Sequence, residues 1–81
     1  MKVEAILAAI VEDSGMTKAQ IGRAVGIEDK KATDLISKRM KQKNISVNVL
    51  VEMLDAMGYT MVVAPKGSKL KDGEFEVSVN E

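Results

Sequence analysis

The sequence predicts a mainly α protein in which four helices are followed by a C-terminal antiparallel β-hairpin. Up to Met57, apolar residues recur at the three- and four-residue spacing of one helix face. After Gly58 the spacing changes to the two-residue alternation that is typical of strands. The 81 residues suffice for one small domain, which we divide into a helical part at 1–58 and a hairpin at 59–81.

The first two predicted helices are separated by a short stop signal. Ser14 and Gly15 end the first helix, because glycine supplies the backbone freedom that a helix stop needs. The second helix is expected to begin at Thr17, since Thr17 and Gln20 have the spacing of a capping box, and Gly26 ends it. The amphipathic stripe that predicts the first helix consists of Val3, Ile6, Leu7, Ile10 and Val11.

The next two helices are predicted at 29–41 and from Ser46 to Met57. Ser46 is a favourable N-cap residue, and Gly58 ends the fourth helix. The inward positions of the third helix are Ala32, Leu35, Ile36 and Met40. The expected apolar side of the fourth helix consists of Val47, Leu50, Met53, Leu54 and Met57.

Two strands joined by a polar turn are expected after Gly58. Residues 59–64 form a β-prone apolar run, and residues 65–73 are polar and contain two glycines. Residues 74–80 alternate, with Phe75, Val77 and Val79 on one side. An isolated hairpin is only marginally stable. We therefore expect it to pack on a second copy of the chain or, alternatively, on the helices of its own chain.

Composition argues against several classes of function. The chain has neither His nor Cys, so it lacks the usual proton shuttle, the thiol nucleophile and the ligands of a structural zinc site. It also lacks a phosphate-binding glycine loop. We therefore expect neither an enzyme nor a bound cofactor. The apolar runs are too short for a signal peptide or a membrane span, so the sequence favours a cytoplasmic protein without membrane contact.

Charge is sorted along the chain, although the net charge is zero. Residues 16–43 carry eight basic and three acidic side chains, an excess of five positive charges, so the remainder has an excess of five negative charges. The basic residues are Lys18, Arg23, Lys30, Lys31, Lys38, Arg39, Lys41 and Lys43, and the acidic ones are Glu28, Asp29 and Asp34. A local cationic face of this kind suits a polyanion such as double-stranded DNA.

Residues 17–27 resemble the helix-turn-helix of the Cro/C1 (Xre-type) phage repressor family. The residues that carry the resemblance are Thr17, Ile21, Gly22, Gly26 and Ile27. Residues 36–47 and the helix after them look like the end of the family's recognition helix, a loop and the next helix. The resemblance implies a four-helix, lambda-repressor-like helix-turn-helix domain. A strand after the fourth helix is similar to small dimeric antitoxin-type members, in which strands from two chains pair.

The resemblance implies that helix 29–41 lies in the major groove of double-stranded DNA. Exposed residues of this helix then read base edges, and residues at its flanks contact phosphates. The expected base-reading residues are Lys30, Lys31, Thr33, Asp34, Ser37 and Lys38. The expected phosphate contacts are Thr17, Lys18, Lys41, Lys43 and Asn44; at Lys18 the family often has Gln. The implied function is a sequence-specific transcriptional regulator, a repressor, that acts as a homodimer.

Several alternatives stay open at the level of sequence. The lysine face could be only a solvated surface, and Asp34 could pair with Lys30 or Lys38, four residues away on either side. Arg39 could pack its stem and form an intramolecular ion pair. The chain could also be an antitoxin-type interaction module that sequesters a protein partner (a toxin), with or without DNA binding. A scaffold built by edge-to-edge strand pairing is a further alternative.

Overall fold

The computed structural model describes residues 1–78, and they form four helices followed by a stretch without regular secondary structure. The helices are α1 (Val3–Ser14), α2 (Lys18–Ala24), α3 (Asp29–Lys41) and α4 (Val47–Ala56). The prediction of a mainly α protein is therefore confirmed. In the described part of the chain, no helix has the length and apolarity that crossing a membrane requires.

The helix ends follow local signals in the sequence. The capping box at α2 is present: the Gln20 backbone N–H donates to Thr17 Oγ1 at 3.1 Å, and the Thr17 N–H donates to Gln20 Oε1 at 2.9 Å. At α4, the Val49 N–H donates to Ser46 Oγ at 3.2 Å. Gly15 ends α1 in the left-handed conformation, with φ of 68°. Each contact satisfies a backbone group that a helix end leaves unpaired.

Every helix supplies one large side chain to a common core. These four side chains are at most 1 % exposed, and they are Leu7, Ile21, Ile36 and Met53 from α1 to α4 in order. The stripe predicted for α1 is confirmed, because its central residues are buried and Val3 and Val11 are half-buried against the core. Full burial of such a side chain contributes roughly 1.5–3 kcal/mol each. These anchors therefore position α2 and α3 relative to each other.

The α2–α3 pair packs closely at one point. A Cβ atom built on Gly22 would lie 2.5 Å from the Ala32 Cβ, well inside van der Waals contact. The helices can approach this closely because one residue has no side chain and the other, fully buried, has only a methyl group. Residues 25–28 connect the helices, with Gly26 at φ of 87° and the Ile27 N–H donating to the Gly22 carbonyl at 2.8 Å.

The β-hairpin expected at 59–81 is wrong for the described residues, because 59–78 contain no strand. Two separate turns replace the hairpin turn: the Ser68 N–H donates to the Pro65 carbonyl, and the Glu74 N–H donates to the Lys71 carbonyl. The chain after the second turn pairs with the start of the chain. Strand propensity is strongly context-dependent, so an apolar or alternating run forms a strand only where a partner lies beside it.

The partner of residues 76–78 is the start of the chain. The Met1 amino group donates to the Glu76 carbonyl at 2.9 Å, and the Ser78 N–H donates to the Met1 carbonyl at 3.0 Å. Phe75 is half-buried against the helical core. This stretch thus folds back on its own helices, which was the alternative expectation. Val79 and Asn80, the last residues of the expected second strand, lie outside the described residues.

The inward positions of α3 and α4 are largely confirmed, with one error. In α3, Ala32 and Ile36 are buried, and Leu35 and Met40 are half-buried. In α4, Val47 was expected inside but is 65 % exposed, and Val49 packs against the core instead. Val47 is the first residue of its helix, where only part of a turn is present to cover it.

Candidate nucleic-acid interface

The solvent face of α3 carries most of the residues that the sequence analysis selected. With Ala32 and Ile36 turned into the core, the helical period places the polar residues opposite them. The exposed residues of this face are Lys30, Lys31, Thr33, Asp34, Lys38 and Lys41, and Ser37 is half-buried at its edge. We call these seven residues the α3 face.

The charges of the α3 face are unpaired within the described part of the chain. No ion pair there joins Asp34 to Lys30 or Lys38, so the proposed pairing along the helix is absent. The lysines of the face likewise make no contact within 4.0 Å of a carboxylate of residues 1–78. Four ammonium groups and one carboxylate are therefore available to bind another molecule.

Part of the α3 face surrounds a shallow depression. Its volume is about 230 Å³, and its walls are Lys30, Lys31, Asp34, Leu35 and Lys38. The half-buried Leu35 lies among three cations and a carboxylate, so the surface offers an apolar contact together with donors and an acceptor. Four of the six expected base-reading residues are brought together here.

Lys18 and Ser37, to which the sequence analysis gave different roles, contact each other. Lys18 Nζ donates to Ser37 Oγ at 3.0 Å in a partly buried position. The bond links the first turn of α2 to the third turn of α3, nineteen residues apart in sequence. Ser37 therefore holds Lys18 against the α3 face, and its hydroxyl oxygen is already engaged as an acceptor.

The remaining flanking residues lie at the two ends of the motif. Thr17 is exposed, and its Oγ1 accepts the capping hydrogen bond from Gln20, which leaves its hydroxyl proton to donate. Lys41, Lys43 and Asn44 are all exposed at and just beyond the end of α3. Lys41 thus belongs to the α3 face, while Thr17, Lys43 and Asn44 lie at either side of it.

Two arginines have environments that the sequence analysis did not identify. Arg23 Nε lies 3.6 Å from Asp29 Oδ1, and both side chains are mostly exposed. This ion pair spans the turn between α2 and α3. The sequence signal for it is the opposite charge of the two residues that lie on either side of the four-residue turn. An exposed pair of this kind contributes at most about 1 kcal/mol.

Arg39 does not form the ion pair that was offered as its alternative role. Its side chain is half-buried, and Nη1 is buried without a hydrogen-bond partner among the described residues. A buried donor without a partner is costly, by about 1–3 kcal/mol. Arg39 therefore keeps an uncompensated positive charge beside the basic end of α3.

The chemistry available at this surface is the binding of anions and of hydrogen-bonding edges. Within residues 1–78, no group of three or more acidic side chains is arranged to hold a metal ion. An exposed helix with several free ammonium groups, one free carboxylate and a threonine methyl can contact a polyanion whose surface also carries donors and acceptors. No protein-family model, no curated protein and no solved structure matches this chain.

Proposed function

We propose that this protein is a sequence-specific, double-stranded DNA-binding transcriptional regulator, a repressor, that inserts α3 into the major groove. The unpaired cationic face of α3 supports this proposal most directly. The major groove of B-DNA is about 12 Å wide and admits an α-helix. The residue resemblance to the Cro/C1 (Xre-type) helix-turn-helix family gives additional support, and a DNA ligand agrees with a cytoplasmic location.

The roles of the residues follow from their chemistry and placement. Lys30, Lys31 and Lys38 can donate to guanine acceptors, and Asp34 can accept from a cytosine amino group. Thr33 can place its methyl group on a thymine methyl. Phosphate contacts are assigned to the flanking residues Thr17, Lys18, Lys41, Lys43 and Asn44. Because one such helix makes few contacts, we propose that a homodimer reads two half-sites about one helical turn apart.

A charge-matched comparison tests the DNA proposal. One variant replaces the four lysines of the α3 face with alanine: Lys30, Lys31, Lys38 and Lys41. The control replaces the four lysines that lie outside residues 16–43: Lys2, Lys66, Lys69 and Lys71. All eight side chains are exposed, and both variants lose four positive charges. Any difference between them therefore reports position and not net charge.

The measurement begins with selection of bound sites from random duplex DNA, followed by affinity for the selected site. We expect a palindromic consensus, and a loss of at least about a hundredfold in the α3-face variant, since a good base contact contributes about 1–3 kcal/mol. The control should retain most of its affinity. Equal affinities of the two variants, or no enriched sequence for the unmodified protein, would reject the proposal.

An antitoxin-type interaction module that sequesters a protein partner, with or without DNA binding, is the second candidate function. It is favoured by the exposed apolar side chains of Val62 and Val63, which are 75 % and 97 % exposed. A stoichiometric protein partner that co-purifies with the chain, and whose binding survives both lysine variants, would support this candidate.

A further inference from the structure

A shallow groove lies between α4 and the segment that follows it. Its volume is about 290 Å³, and its walls are Val51, Glu52, Asp55, Tyr59, Thr60 and Met61. Val51 and Met61 are 40 % and 39 % exposed, so both keep apolar surface in contact with water, while Tyr59 is half-buried against the core. A concave surface that combines apolar side chains with a few polar groups is typical of a binding site.

The size and shape of the groove favour side chains of a larger molecule over a free small molecule. Pockets for small molecules usually enclose about 300–1,000 Å³ and cover most of the ligand surface. A shallow groove of about 290 Å³ would leave such a ligand largely in water, but it can receive one or two side chains of a protein segment. The binding energy of such a segment can come from a few anchoring side chains.

The rim of the groove is acidic. Glu52 and Asp55 are both exposed, and they are the only charged residues between positions 44 and 65. Because they lie three residues apart on α4, their side chains are neighbours on one face of the helix. Neither carboxylate has a cationic group of residues 1–78 within 4.0 Å. Two adjacent carboxylates without a counter-charge favour the approach of a cation.

The stability of α4 does not account for these two carboxylates. Asp55 lies in the last turn of the helix, where the helix dipole favours cations, and that turn contains no basic residue. Like charges that are neighbours on a helix surface also repel each other, so Glu52 and Asp55 disfavour each other's ionised form. A cation bound in the groove offsets both effects, which makes a cationic occupant the complement of this surface.

We propose that this groove binds a cationic segment of another protein, in which an arginine stands next to an apolar residue. A guanidinium group donates two parallel hydrogen bonds to a carboxylate, here that of Glu52 or Asp55. Its planar face also stacks on an aromatic ring, which Tyr59 supplies in the groove. The methylene stem of the arginine and the neighbouring apolar side chain then cover Val51 and Met61.

The groove is separate from the α3 face, so the two surfaces can be occupied at the same time. The helix α4 packs against α2, and no Cα atom of α4 lies within 8 Å of a Cα atom of α3. The depression on α3 and the groove share no residue. Phosphates repel carboxylates, so DNA is not the complement of this acidic rim. A chain bound to DNA can therefore hold a cationic protein partner beside it.

Two charge-matched double variants test the inference. The groove variant combines Glu52→Gln with Asp55→Asn, and the control combines Glu12→Gln with Asp13→Asn near the end of α1. All four side chains are exposed, and each variant loses two negative charges with little change in side-chain size. A further variant, Val51→Ser, removes apolar surface from the groove without changing the charge. None of the five residues belongs to the buried core, so all three variants should fold.

The probe is a library of short random peptides, from which binders to the unmodified 81-residue chain are selected. We expect the enriched peptides to share an arginine beside an apolar residue. A synthetic peptide with that motif should bind the groove variant at least about tenfold more weakly and the control normally. Val51→Ser should weaken binding about fourfold, as expected for the loss of one buried methylene. Backbone amide NMR signals of Thr60 and Met61 should shift on peptide addition, and those of α3 should not.

Three results would overturn the inference: no arginine motif among the enriched peptides, equal affinities of the groove variant and the control, or NMR shifts confined to another surface. Sedimentation without peptide tests a second copy as the occupant. Self-association of the unmodified chain that the groove variant abolishes would assign the groove to a second copy and would also overturn the inference. Peptide binding is measured without DNA, so failure of the proposed DNA binding leaves this result unaffected.

Discussion

Gly22 is the residue on which the α2–α3 arrangement depends most directly. Replacing it with alanine would gain about 0.5–1 kcal/mol in helix propensity but would place a methyl group 2.5 Å from the Ala32 Cβ. Overpacking of a dense core costs about 1–3 kcal/mol. Ala32 is fully buried and has no flexible end that could move aside. The steric cost should therefore exceed the gain in propensity.

We predict that Gly22→Ala lowers the free energy of unfolding by about 1–2 kcal/mol, the difference between those two effects. Chemical denaturation measures this change. The matched control is the same substitution in an Ala32→Gly background, where the opposing methyl group is absent. Gly22→Ala should cost clearly less there, because the nearest atom to the added methyl group is then the Cα of residue 32, at 3.0 Å. If it destabilises both backgrounds equally, the close approach at Ala32 is not the cause.

At the same scale, helical periodicity predicted which residues of the site are exposed, and it did not predict which of them touch each other. Lys30, Asp34 and Lys38 follow from the buried positions of α3 alone. The contacts Lys18–Ser37 and Arg23–Asp29 join different helices. They depend on how α2 crosses α3, and that crossing is fixed by the packing at Gly22, so sequence spacing alone does not reveal them.

At the scale of elements, the Lys18–Ser37 hydrogen bond couples α2 to α3. If Ser37 acts by holding Lys18 toward a phosphate, Ser37→Ala should weaken DNA binding by about tenfold, since a hydrogen bond to a charged group contributes about 1.5 kcal/mol and about 1.4 kcal/mol corresponds to a factor of ten. The selected DNA sequence should stay the same, because phosphate contacts carry no sequence information. Site selection and affinity measurements check both statements.

The Lys18→Met background separates this positioning role from base reading. There, Ser37→Ala should have no further effect on affinity, since Ser37 no longer has an ammonium group to hold. A change in the selected base sequence caused by Ser37→Ala in that background would instead assign Ser37 a direct base contact. Thr33→Ala serves as the control for folding, because Thr33 is exposed on the same helix and its side chain makes no hydrogen bond with residues 1–78.

The helices were predictable because their signals are local, whereas the hairpin was not. Thr17 with Gln20, Ser46 and Gly15 mark helix ends within a few residues, and each contact is present. Pairing of strands depends on partners far away in sequence. Residues 76–78 pair with Met1, which is 75 residues from Glu76, and residues 60–64 form no hydrogen bond with a described residue. The alternation correctly placed Phe75, which is half-buried, on the inward side but was wrong for Val77, which is 53 % exposed.

At the scale of the whole molecule, charge sorting along the chain supports the proposed operator binding. In the proposed complex the basic excess of residues 16–43 would attract the phosphates, while the rest of the chain is acidic by the same amount. Two α3 faces on one DNA double the number of phosphates contacted. The salt dependence of binding therefore reports how many copies are bound, since log K falls by about 0.9 per phosphate for each unit of log salt.

We predict that the slope of log K against log salt is about half as steep for a single half-site as for the palindromic site, because one copy contacts half the phosphates that two copies contact. Affinity measured for the two duplexes over a range of salt concentrations checks this prediction. Equal slopes for the two duplexes would mean that the same number of copies binds each of them.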